Sequence, residues 1–149
     1  LIQAAYCNSS GIADWNFMKE MYMSQYPDGQ NMDCGGLGLR LVREFPRDLE
    51  LQRAFLFDCG QGYAPLKDRY EALKMLPSWE HKLSDWDYHD HYANITFTIT
   101  TLSKKPDYVA VSKREIREAL KYAPTEPKRK FKQMMRDHLN KLYPNIGSL

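Results

Sequence analysis

The sequence predicts an α+β fold: a mostly helical single domain over residues 1–149, with a small antiparallel β-hairpin and two C-terminal amphipathic helices. Three observations carry this. Apolar residues recur at helical spacing along much of the chain. One short segment, 94–102, alternates apolar residues with threonine. Two basic amphipathic stretches, within about 112–143, are parted by the turn Pro124-Thr125-Glu126-Pro127.

The helical expectations run as follows. Asp14 caps a helix from Trp15, whose inner face is Trp15, Met18, Met21 and Tyr22. Tyr26-Pro27-Asp28-Gly29-Gln30 is a turn. A helix carrying Leu37, Leu41 and Phe45 stops before Pro46, and Asp48 caps the next, with Leu49, Leu51, Phe55 and Leu56. Gly60 and Gly62 end it. Pro65 opens a helix whose face is Leu66, Tyr70, Leu73 and Leu76, and Pro77 closes it.

The strand expectation rests on Ile95, Phe97 and Ile99 against Thr96, Thr98 and Thr100. After the turn Ser103–Asp107, residues 107–111 return as the second strand. Ser112 and Glu115 then form a capping box for a helix bearing Ile116, Ala119, Leu120 and Ala123. The last helix turns Phe131, Met134, Met135, Leu139 and Leu142 inward. Phe97, Ile99, Ile116, Leu120, Phe131, Met135 and Leu139 make the expected core.

Composition bounds the function. With 43% hydrophobic and 27% charged residues, the 149-residue chain can bury one core. No apolar run approaches the roughly 18 to 20 residues that a membrane span needs. Leu1–Ala5 has neither the basic start nor the apolar stretch of a signal peptide, and with no initiator Met the chain reads as a processed or excised piece. Cys7, Cys34 and Cys59 fit no zinc spacing and read as reduced thiols, which favours an intracellular setting. The competing reading is a secreted glycoprotein domain that binds another protein. It has a Cys34–Cys59 disulfide and sequons at Asn8 and Asn94. No cofactor is expected.

Charge gives the leading functional expectation. Residues 1–100 hold nine Lys and Arg against 14 Asp and Glu, net −5, whereas residues 101–149 hold 12 against five, net +7. The basic set is Lys113, Arg114, Arg117 and Lys121 on one helix and Lys128, Arg129, Lys130, Lys132 and Arg136 on the next. Such clusters attract polyanions, and nucleic acid is the first choice of partner. Docking on the acidic part of the same chain is the competing account. An alternative function is a small Cys-His hydrolase, with Cys34 as nucleophile and His89 or His91 as base. That order of Cys34 in Asp33–Gly36 and later histidines resembles papain-like and NlpC-type hydrolases. The resemblance implies a thiolate activated by an imidazole. His89-Asp90-His91, if extended, would point both rings to one side, an arrangement workable for a metal.

Overall fold

Helical spacing is realised throughout, including where the sequence alternates. The structure, a computed structural model, describes residues 15–24, 36–62 and 64–147. Of these, 81% are helical, in seven α-helices and two 3-10 turns with no strand. The helices are α1 (Trp15–Ser24), α2 (Leu37–Glu44), α3 (Leu49–Gln61), α4 (Leu66–Met75), α5 (Asp85–Ser103), α6 (Val109–Tyr122) and α7 (Glu126–Leu142). Single 3-10 turns, Leu76–Trp79 and Pro106–Tyr108, precede α5 and α6. The chain divides into two compact units, Leu1–Ala72 and Leu73–Leu149.

In the first unit, Met18 and Tyr22 of α1 are buried at the expected i, i+4 spacing. Asp14, the turn at Tyr26–Gln30 and Asp33–Gly35 lie outside the described residues. Gly36 sits at φ +106 before α2, where a side chain would be strained. Gly38 marks a close approach, since an added Cβ would come within 2.9 Å of the Phe55 ring and the Tyr22 hydroxyl. The Asp48 cap of α3 is present, with its Oδ1 accepting from the Leu51 N–H at 3.1 Å. Lys19 donates to the other carboxyl oxygen at 2.8 Å, and these two bonds, the lysine's first, hold the Asp48 carboxyl below its usual pKa.

The expected inner face of α4 needs correction. Asp68, Arg69 and Ala72 are its buried residues, while Leu66 and Tyr70 are half-buried. The reason is the unsatisfied end of α3. Arg69 donates to the carbonyls of Ala64 (2.9 Å), Gly62 (2.9 Å) and Cys59. One rigid guanidinium thus satisfies acceptors that a helix C-terminus leaves open.

The second unit overturns the hairpin. Residues 94–102 are the middle and end of the 19-residue helix α5, and 109–111 begin α6. The threonine hydroxyls bond back to their own helix: Thr96 to Tyr92 O (2.8 Å), Thr98 to Ile95 O (3.0 Å) and Thr100 to Thr96 O (2.9 Å). These bonds remove the penalty of burying a hydroxyl, and packing overrides the weak strand preference of β-branched residues. Ser84 starts α5, its hydroxyl accepting from the Asp87 N–H at 3.1 Å, and Asp85 and Asp87 place negative charge in the first turn. Ser112 is no cap. It is fully buried inside α6, and its hydroxyl has no hydrogen-bond partner among the described residues.

Much of the expected core survives the change of element. Ala93, Ile116, Met135 and Leu139 pack together, with Phe97, Leu120 and Tyr143 against them. Ile99 is also fully buried. Phe131 is the exception, at 48% exposed. Met134 and Leu142, also expected to face inward on α7, are exposed as well.

Candidate anion-binding cleft

The nine basic residues expected to make the contact, on α6 and α7, do not form one solvated face. Lys132 is buried, 1% exposed, with its ammonium 2.5 Å from both Asp90 Oδ1 and Asn94 Oδ1 on α5. The Trp86 and Phe131 rings lie 5.7 and 5.1 Å from it. Burial lowers the Lys132 pKa below the ordinary 10.5, against the opposing pull of Asp90. Lys113 is also buried and donates to the Tyr143 carbonyl at 2.6 Å, satisfying an acceptor just past the end of α7. Both residues had a signal in the sequence. Lys132 shares an i, i+3, i+7 face with Met135 and Leu139, and Lys113 shares one with Ile116 and Leu120.

The other cations vary in their commitments. Arg129 reaches the Leu120 carbonyl at 3.3 Å. Arg114 pairs with Glu115 at 3.4 Å and lies 5.9 Å from the Tyr92 ring. Lys121 pairs with Glu118 at 2.9 Å, and that bond holds the half-buried Glu118 carboxyl below its usual pKa. Lys128 sits 5.8 Å from the Trp86 ring, and Arg136 lies 3.4 Å from Asp137. Lys130 and Arg117 are exposed.

Three of the nine meet at the seam of α6 and α7. A cleft of about 460 Å³ is lined by Lys113, Arg117, Leu120, Arg136, Asn140, Pro144 and Gly147. Lys113, Arg117 and Leu120 fall on one face of α6 by their i, i+4, i+7 spacing, and Arg136 and Asn140 are one turn apart on α7. The segment after α7 closes one end. Gly147, at φ +64, lies so near α6 that an added Cβ would stand 3.2 Å from the Ala110 Cα. Three cationic side chains and an amide line this space, with no carboxylate among the lining residues. Guanidinium forks on facing helices suit a phosphate or carboxylate, which each can grip through two N–H donors.

The hydrolase residues fare differently. Cys34 and Cys7 lie outside the described residues. His89 Nδ1 lies 2.6 Å from Glu115 Oε2, and the ring stacks on Tyr122 at 5.9 Å between centroids. His91 is two residues further along the same helix, so the two rings project in directions roughly 200° apart. This corrects the extended H-x-H arrangement. Among the described residues no group of three or more His, Cys, Asp or Glu is placed to hold a metal. The sequon at Asn94 is also corrected by the helix. Asn94 is 2% exposed, and its amide donates to Asp90 while accepting from Lys132, so the folded chain offers no room for a glycan there. Cys59 is fully buried, its sulfur 3.7 Å from the Asp68 carbonyl oxygen. No helix among the described residues is long and apolar enough to cross a membrane.

The chain matches no protein-family model, no curated protein and no solved structure.

Proposed function

We propose that this protein is a binding module for an anionic macromolecule, nucleic acid first, engaged along the seam of α6 and α7. The observation that supports the reading is the cleft lined by Lys113, Arg117 and Arg136 without a carboxylate. Its size lies within the range of ordinary binding pockets. Phosphate contacts from such a seam give affinity without base reading, so binding tolerates changes of sequence and depends steeply on salt.

Fluorescence anisotropy with duplex DNA and single-stranded RNA over a salt series tests the reading. Two phosphate contacts, from the exposed Arg117 and Arg136, give a log–log slope of about −2 on duplex. Arg117→Gln with Arg136→Gln flattens that slope by about 2 units and leaves the circular dichroism spectrum unchanged. Lys132→Gln leaves the slope alone and lowers the melting temperature, because that cation points into the protein. A chain that binds neither nucleic acid at low salt refutes the proposal.

A further inference from the structure

The seam on the other side of α7 has a different chemistry. Phe131, Met134 and Leu142 are 48%, 67% and 55% exposed. With the exposed His138 they follow i, i+3, i+7, i+11 spacing, which places them in one stripe along α7. The stripe runs beside α5: His138 lies 5.7 Å from the half-buried Phe97 ring, and nearer the start of both helices Lys132 reaches Asp90 and Asn94. Those pairings advance together along both chains, so α5 and α7 run in the same direction. The stripe and Phe97 therefore form one wall and the floor of a shallow apolar groove about 16 Å long, three helical turns.

We infer that this groove between α5 and α7 docks an acidic amphipathic helix of a partner protein. The stripe presents anchors at the spacing by which a helix laid in a groove is held. Charge selects the occupant. Helix α7 carries six Lys and Arg against two carboxylates, and Lys128, Lys130 and Lys141 are exposed around the stripe. A second copy of the chain seated on this face sets those lysines against their own counterparts, a repulsion that disfavours self-association. A helix with leucine-type anchors and flanking Glu or Asp meets both the apolar wall and the basic rim. Cleft and groove lie on different sides of α7, so the two bindings are separable.

Anisotropy of labelled synthetic helices with the full chain tests this. The probe is a peptide of about 18 residues with Leu at i, i+3, i+4 and i+7 spacing and Glu on its polar face. One control replaces Glu by Lys, and another keeps every Glu and replaces Leu by Ser. The acidic amphipathic peptide binds at least about tenfold tighter than either control. Phe131→Gln with Met134→Gln removes about that factor without loss of helicity, since both side chains are exposed, and Arg117→Gln changes nothing. Equal binding of all three peptides overturns the inference. So does a dimer of the chain in light scattering that Met134→Gln dissolves, or tight binding to phosphatidylserine vesicles that the acidic peptide fails to displace. Loss of nucleic-acid binding alone leaves the inference standing, because its probes and variants touch the other seam.

Discussion

Lys132 shows how one residue can reverse the sense of a charge pattern. Its ammonium sits among Asp90, Asn94, Trp86 and Phe131, and burial disfavours its charged form. In the unfolded chain it titrates near 10.5, and in the folded chain lower. Between those two values the unfolded chain holds more protons, so Lys132 makes stability rise with pH through that window. The expected result is that wild type gains on Lys132→Met in urea denaturation as pH climbs from neutral towards 10.5, and a constant difference refutes it. Asp90→Asn acts oppositely: it leaves a buried cation short of its counter-charge and lowers stability by about 3 kcal/mol.

At the scale of elements, the decisive case is α6. The motif Ser112-x-x-Glu115 has the letters of a capping box, yet α6 begins at Val109 and both residues lie in its body. Glu115 instead meets His89 at 2.6 Å on α5. Loss of a cap at Ser112 would cost about 1 kcal/mol. The buried hydroxyl without a partner among the described residues gives the opposite sign: Ser112→Ala leaves stability unchanged or raises it by about 1 kcal/mol. Thermal or chemical denaturation decides between the two. The strand of 94–102 failed for a related reason. Alternation of Ile and Thr fits a strand, but the signal that starts α5 lies ten residues earlier, at Ser84-Asp85-Trp86-Asp87, and reading the segment alone leaves it out. The cap at Asp48 and the proline stops were legible because each depends on neighbours close in sequence.

At the scale of the molecule, each compact unit has buried residues of its own. The core of the second unit, Ala93, Ile116, Met135 and Leu139, joins three helices. Leu76 and Trp79 are buried in the turn before α5. A fragment of residues 76–149 is therefore expected to keep its helical spectrum and melt in one cooperative transition; a spectrum of unfolded chain refutes that expectation. The sequence by itself determined where most helices begin and stop, most of the apolar residues that share the second unit's core and that the cations gather on the last two helices. These follow from local chemistry and from spacing, and both are written along the chain. Tertiary structure alone decided that packing holds 94–102 in a helix against its alternation, that Arg69 closes the end of α3, which acceptors Lys113 and Lys132 find inside the protein, and that Arg117 and Arg136 share a cleft. Each of these depends on which acceptor or apolar wall a distant segment brings within reach, and desolvation makes a buried group's partner, not its own type, the deciding term.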